Sequence, residues 1–273
     1  MTTANEKNPT IPNVLTIAGS DSGGGAGIQA DIKTMSANGV YAASVITAIT
    51  AQNTQGVSAI HDVPIDHIAA QIDAVLSDID CSAIKIGMLS QPAVIELVAE
   101  KIRQYQIPLV VLDPVMVATS GDKLLHEVAI EMLKTELMPL ATVVTPNLLE
   151  VSILSDFPVA ISQDEMLESA KELICLGAQA VLLKGGHLDS ASSSDLLLDA
   201  RHDMKWFLGE RVATKNTHGT GCTLSSAVCA FLAKGQTLVN AVTLAKEYIQ
   251  RAIQSADQLD VGTGSGPVNH FFD

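Results

Sequence analysis

Short β-branched runs alternate with longer amphipathic segments along the chain, and this alternation predicts its elements. Residues 13–18 (NVLTIA), 45–51, 82–86, 142–145 and 180–183 read as strands. Residues 108–112 (PLVVL) form a continuous apolar run, which suits a strand covered on both faces. Residues 26–38, 64–77, 92–105 and 126–137 read as helices, the first stopping at Asn38-Gly39. Within 64–77, Ile65, Ile68, Ala69, Ile72, Val75 and Leu76 recur at helical spacing and define one apolar face. Ser162-Gln-Asp-Glu165 has the form of a capping box and opens a helix to about Leu176. Residues 196–199 and 204–208 read as a hairpin around 201–203. Helices 221–233 and 238–256 follow, and the Gly-rich tail 262–266 reads as irregular.

Repeated β-α units predict a mostly parallel sheet covered on both faces. No Pro/Ser linker, charge run or internal repeat divides the chain, so 1–273 reads as one domain with 1–12 as a polar, frayed leader. An eight-stranded barrel is the competing architecture. The late hairpin followed by two adjacent helices breaks strict alternation and counts against it. In either case the functional loops are expected at the carboxyl ends of the strands.

Composition then narrows the function. Of 273 residues 47% are hydrophobic, which excludes a disordered chain. Lys+Arg is 16 against 30 Asp+Glu, and the net charge of −14 disfavours general nucleic-acid or anionic-membrane binding. With aromatics at 3%, a base-stacking platform is not expected. The longest apolar runs, 41–51 and 223–233, fall short of the roughly 18–20 residues that a membrane helix needs. The four cysteines (Cys81, Cys175, Cys222, Cys229) contain no C-x-x-C pair. Cys222 and Cys229 would sit about 10 Å apart along a helix, too far to bridge. A reduced, cytoplasmic protein is expected.

Five strand-end clusters carry candidate chemistry. The first is Gly19-Ser-Asp-Ser-Gly23-Gly-Gly-Ala-Gly27. Its Gly25-Ala-Gly27-Ile-Gln-Ala30 matches the G-x-G-x-x-A dinucleotide fingerprint, which points to NAD(P). Against that, the strand ends well before Gly25 and no acid closes the second strand. The alternative is a mobile Gly-rich loop whose amides approach a small ligand. The second is Lys215-Asn-Thr-His-Gly219-Thr220-Gly221-Cys222 before an Ala/Leu/Ser helix. Unpaired amides and the helix dipole make that start a candidate anion hole, and Cys222 in its first turn is expected to have a lowered thiol pKa. The bland counterpart is an ordinary glycine-rich N-cap with a small buried cysteine.

In Thr145-Pro-Asn147-Leu-Leu-Glu150, Asn147 and Glu150 share one helical face, and such a pair can hold water or Mg²⁺ beside phosphates. An N-cap Asn with a first-turn Glu has the same spelling. Asp113-Pro114 leads into residues 115–122, a loop with the glycine punctuation of a lid. Lys184-Gly-Gly-His187 puts a cation at another strand end. Walker-loop, H-E-x-x-H and G-x-S-x-G motifs are absent, and seven scattered histidines show no ligand spacing.

In this order, Thr16-Ile-Ala-Gly-Ser-Asp21, Gly24-Gly-Ala-Gly-Ile-Gln-Ala-Asp-Ile-Lys33, Val45-Ile-Thr-Ala, Ala51-Gln-Asn-Thr, Lys85-Ile-Gly-Met-Leu89, Leu112-Asp-Pro-Val-Met116, Thr145–Glu150, Lys184–His187 and Lys215–Cys222 are very specific. The chain resembles the ribokinase superfamily over almost its whole length. Within it, the resemblance is to the hydroxymethylpyrimidine/phosphomethylpyrimidine kinases of thiamine biosynthesis. The resemblance implies a ribokinase-like α/β fold, a three-layer α/β/α arrangement around a central, mostly parallel sheet, usually as a homodimer. It implies an ATP- and Mg²⁺-dependent kinase that acts on 4-amino-5-hydroxymethyl-2-methylpyrimidine and then on its monophosphate. By motif position, Gln52 and Asp31 are expected to hydrogen-bond the pyrimidine, with Gly19 nearby and Met88 and Val115 packing on the ring. Asn147, and Asp113 and Glu150 as metal residues, would serve the Mg²⁺/phosphate region. Lys184 and Thr217 would reach ATP. Gly219, Thr220, Gly221 and Cys222 would form the anion hole, with Cys222 as the base. Most sugar and nucleoside members carry Asp where Cys222 stands, whereas some pyridoxal kinases share the Cys, so pyridoxal kinase activity stays open.

Overall fold

The computed structural model describes residues 11–116, 127–186 and 192–272. Among the described residues nine strands form one open sheet in the order β3-β2-β1-β4-β5-β6-β7-β8-β9. β1 (Asn13–Asp21), β2 (Tyr41–Asn53), β4 (Cys81–Ile86), β5 (Val110–Leu112), β6 (Val143–Val144) and β7 (Ala180–Leu183) run parallel. β3 (Gly56–Asp62) is antiparallel to β2 at one edge; β8 (Ser192–Asp199) and β9 (Met204–Glu210) close the other as a hairpin. The sheet is open, so the barrel is excluded.

The helices are α1 (Gly27–Ala37), α2 (Ile65–Leu76), α3 (Pro92–Gln104), α4 (Glu127–Met132), α5 (Leu148–Ser155), α6 (Gln163–Cys175), α7 (Thr220–Ala233) and α8 (Leu238–Gln254). A π-helical turn, Leu133–Leu137, extends α4. They form two layers because the inner strands are apolar on both faces. Leu15, Ile17, Ile84, Ile86, Val110, Leu112, Val181 and Leu183 pack with α2–α6. The alternating Val14, Ala83, Val111, Ala180 and Leu182 pack with α1, α7 and α8.

Two local readings shift. β2 and β3 form a hairpin that the pattern did not announce, because Gly56–Asp62 is half-exposed and carries no clean alternation. Ser162 does cap α6, accepting from Glu165 N–H at 3.2 Å, but Glu165 Oε2 turns to Ile161 N–H at 2.7 Å. The reciprocal capping box lies instead at Asn147/Glu150, on α5.

β1 comes first in the chain yet lies inside the sheet, with β2 on one side and β4 on the other. The winding direction reverses there, so a crevice opens beyond the strand carboxyl ends. Asp21, Gln52, Met88, Asp113, Thr145 and Lys184 all lie at or just beyond those ends.

Candidate active site

Lys184 leaves β7 and brings its ammonium 3.0 Å from Asp113 Oδ1 and 3.9 Å from Glu150 Oε2. Asp113, just past β5, is buried; Thr145 donates to its Oδ1 and Ser225 of α7 to its Oδ2, each at 3.1 Å. Burial pushes the Asp113 carboxyl up, but Lys184 and Lys85 outweigh it and hold it below its ordinary value. Burial also opposes charge on Lys184, and Asp113 and Glu150 overcome it, leaving the ammonium above its usual value. Burial pushes Glu150 up to about 7; Lys184 draws it down and Asp113 pushes it further up. Local chemistry sets its place. Asn147 caps α5 and accepts from Glu150 N–H at 2.9 Å, while Asn147 N–H donates to Glu150 Oε2 at 2.8 Å.

The mouth of α7 opens beside this cluster. Gly219 caps the helix in the left-handed region (φ 78°, ψ 7°). A methyl group on Gly221 would lie 3.3 Å from Lys184 Nζ and 3.8 Å from Asp113 Oδ2. Among the described residues the Gly219, Gly221 and Cys222 amides have no backbone acceptor, and with one ammonium beside them the helix mouth suits a phosphate in a chain of net charge −14. Thr217 lies exposed on the rim, its carbonyl accepting from Thr220 N–H at 3.3 Å.

The second half of the site lies where β1 and β2 end. Gly19 sits at a register irregularity between the two strands, and a methyl there would come within 2.6 Å of Met88 Cε. Gln52 Oε1 accepts from Thr50 at 3.1 Å, and its amide nitrogen lies 3.3 Å from His218 Nε2. Val115 occupies a tight turn, its N–H donating to Asp113 O at 2.8 Å.

The two glycine clusters interlock, which nothing in their spacing announced. A side chain on Gly219 would overlap the Gly25 carbonyl, and one on Gly25 would come within 2.5 Å of His218 Cδ2. Asp21 closes the junction, accepting from Gly23, Gly25 and Ala26 N–H at 2.8–3.0 Å, with His218 Nε2 2.9 Å from its Oδ2. Burial pushes Asp21 up, but His218 and the amides outweigh it and hold the carboxyl low. The amides that a dinucleotide pyrophosphate would need are thus taken by a side chain, which removes the NAD(P) reading. Asp21 and His218 are 197 positions apart, and sequence reasoning gave neither a role.

Three further expectations change. Asp31 is sealed at 0% exposure, ion-paired with Lys85 at 2.9 Å and accepting from Thr16 (2.6 Å) and Ser226 (2.7 Å). Its lone pairs serve the α1–α7 junction, so it is not free to hydrogen-bond a ring. Cys222 is not a low-pKa thiol: burial pushes it up to about 11, Lys85 and the Gly27 amide draw it down, and Asp31 and Asp113 push it up. Asp113 is more occupied than its strand-end position implied: its Oδ1 accepts from Lys184 and Thr145 and its Oδ2 from Ser225, so as a metal ligand it would have to share these oxygens. Glu150 fits a metal ligand. Mg²⁺ carried mainly by phosphates needs only one or two carboxylates, and this buried one has a backbone donor at 2.8 Å and an ammonium at 3.9 Å. Among the described residues no group of three or more His, Cys, Asp or Glu could hold a metal by itself. The lid expectation, residues 115–122, and His187 fall outside the described residues except for Val115 and Met116.

Fold and site together define a ribokinase-like α/β protein in which a late helix opens beside a buried Lys–Asp–Glu cluster. The family model described as phosphomethylpyrimidine kinase matches residues 21–269, and the chain belongs to that family. The hydroxymethylpyrimidine/phosphomethylpyrimidine kinase of Rhizobium meliloti is 54% identical over 94% of this chain and 96% of its own length. The crystal structure of phosphomethylpyrimidine kinase from Clostridium difficile 630 is 45% identical, with a TM-score of 0.79, over 89% of this chain and 99% of that one. The pyridoxal kinase of Bacillus subtilis, solved as an ADP complex, is 39% identical, with a TM-score of 0.89, over 96% and 98%.

Proposed function

We propose that this chain is an ATP-dependent kinase that phosphorylates 4-amino-5-hydroxymethyl-2-methylpyrimidine on its hydroxymethyl oxygen and then converts the monophosphate to the diphosphate. The observation that carries this reading is the Lys184 ammonium between Asp113 and Glu150 at the open amides of α7. Gly19 and Met88, which pack on each other, together with Gln52 and Val115 at neighbouring strand ends, would take the ring.

Phosphoryl transfer demands positioning and charge neutralisation more than covalent chemistry. The amides of Gly219, Gly221 and Cys222 and the Lys184 ammonium hold the terminal phosphate of ATP, with Thr220 and Thr217 at the rim. Asp113 and Glu150 keep Lys184 charged and aimed. Glu150, with Asn147 beside it, would help hold Mg²⁺, which would supply further charge neutralisation. The hydroxymethyl oxygen forms the new P–O bond as the bond to the ADP oxygen breaks, and its proton passes to Cys222 in its thiolate form. In the second step a phosphate oxygen attacks and no proton need leave.

Product analysis tests the reading: incubation with the alcohol and MgATP yields mono- and then diphosphate, and absence of both overturns it. In the same assay Gln52→Ala raises the pyrimidine KM about tenfold or more, because a neutral amide offers a donor and an acceptor to an aminopyrimidine edge. An unchanged KM would place the ring elsewhere. The B. subtilis relative favours a second reading, pyridoxal phosphorylation, which the ratio of kcat/KM for the two alcohols decides. A homodimer is also proposed, supported by exposed Ile49 and Ile60 on the β2–β3 edge hairpin; a monomer mass in sedimentation overturns it. The four free thiols, and a described fold without a helix long and apolar enough to cross a membrane, support a cytoplasmic enzyme.

A further inference from the structure

Away from the crevice, a second buried ion pair lies under the turn that carries Lys184. Asp195 of β8 is 3% exposed, in a strand that continues as Leu196-Leu197-Leu198. Its Oδ1 accepts from Gly185 N–H at 2.9 Å and its Oδ2 from Lys246 Nζ of α8 at 2.7 Å. Burying a carboxylate is costly, and this position could have held another leucine. The geometry shows what the carboxylate does.

β7 pairs antiparallel with β8 through Leu183↔Leu196, so Asp195 stands opposite the point where the chain leaves the sheet. There Gly185 is pressed against β8, and a side chain on it would overlap the Ser194 carbonyl. Ladder bonding ends at this point, and the Gly185 N–H takes a side-chain acceptor instead. Lys246 approaches over Gly209, where a methyl group would lie 3.5 Å from its Nζ. A continuous chain of contacts thus runs from α8 through Lys246, Asp195 and the Gly185 amide to the backbone of Lys184.

We infer that Asp195, held by Lys246, is a positioning residue for phosphoryl transfer: it fixes the Gly185 amide and so sets where the Lys184 ammonium stands between Asp113, Glu150 and the mouth of α7. Neither side chain need touch a substrate. The inference rests on the kinase reading above. It makes nucleotide use, and not pyrimidine binding, the sensitive quantity.

Steady-state kinetics of wild type, Asp195→Ala, Asp195→Asn and Lys246→Met test it, alongside thermal unfolding of each. Asp195→Ala is expected to raise the MgATP KM and lower kcat about tenfold each, with the pyrimidine KM within about twofold. Asp195→Asn keeps an oxygen for the Gly185 N–H and is expected to restore most of the loss, which a purely structural ion pair would not allow. Lys246→Met leaves that bond in place and changes the same constants in the same direction, but less. If Asp195→Ala does not fold, the asparagine and methionine variants decide by the same split between the two KM values. Constants within twofold of wild type in all folded variants would overturn the inference. So would losses that track the folded fraction and touch both substrates equally. A wild type without kinase activity overturns the functional reading itself, whereas an active wild type with indifferent variants sinks this inference alone.

Discussion

Cys222→Ala is expected to slow phosphorylation of the pyrimidine alcohol about 10²–10⁴-fold while leaving phosphorylation of the monophosphate within a few-fold of wild type. The asymmetry follows from the acceptors. An alcohol must lose a proton as it is phosphorylated; a phosphate oxygen is already ionised. The environment of Cys222 sharpens the expectation. Burial drives its thiol up to about 11 despite Lys85 and the Gly27 amide. At neutral pH the thiol is then almost wholly protonated, but its thiolate is a far better base toward an alcohol than a low-pKa one. The active form is the deprotonated one, so the first-step rate should climb with pH from 7 toward 9, by up to about tenfold per unit. The second step should lack this rise. Titration of Glu150 near 7 touches both steps alike, so the ratio of the two rates isolates the thiol. Separate assays on alcohol and monophosphate, across pH, give that ratio. Equal losses in kcat would leave Cys222 a positional residue.

Lys85→Met should destabilise the fold by about 3–5 kcal/mol, because it strands the Asp31 carboxylate in the interior. For a chain of this size the melting temperature would fall by roughly 5–9 °C. Lys85 and Asp31 are both fully buried, and Lys85 Nζ bonds both carboxylate oxygens at 2.9 and 3.0 Å. Burial opposes charge on Lys85, but Asp31 outweighs it and raises the lysine above its ordinary value. The sign then places this stabilisation at full strength below about pH 10, and it is lost only in stronger alkali. The double variant Lys85→Met/Asp31→Leu should recover much of the stability, since an apolar pair can replace a buried ion pair. Its activity should stay low, because Ser226 and Thr16 lose the carboxylate that ties α7 to α1 and β1. Calorimetry and kinetics on the three variants check this. A single Lys85→Met variant as stable as wild type would mean the pair is not a structural tie.

Local chemistry made much of the fold legible. The period of apolar residues placed the parallel strands and α1, α2, α3 and α6 to within a few residues, because burying one face of a helix or both faces of an inner strand leaves a direct signature. The strand-end positions of Lys184, Asp113 and Asn147/Glu150 followed from those boundaries, and the parallel sheet brings them together at one rim. Asn147 and Glu150 sit within one turn, so their mutual hydrogen bonds were within reach of spacing alone.

By itself, then, the sequence determined the layered α/β architecture, the family, and the strand-end loops that the sheet gathers at one rim, since each of these is written in contacts among near neighbours. The tertiary structure alone decided that Asp31 faces Lys85 and not a ligand, that Asp21 and His218 lock two distant glycine loops together, and that Asp113 is filled by Lys184, Thr145 and Ser225. It also reversed the sign of the shift at Cys222, where desolvation outweighs the helix terminus. Burial and charge pairing are sums over elements far apart in the chain, and no local pattern carries them.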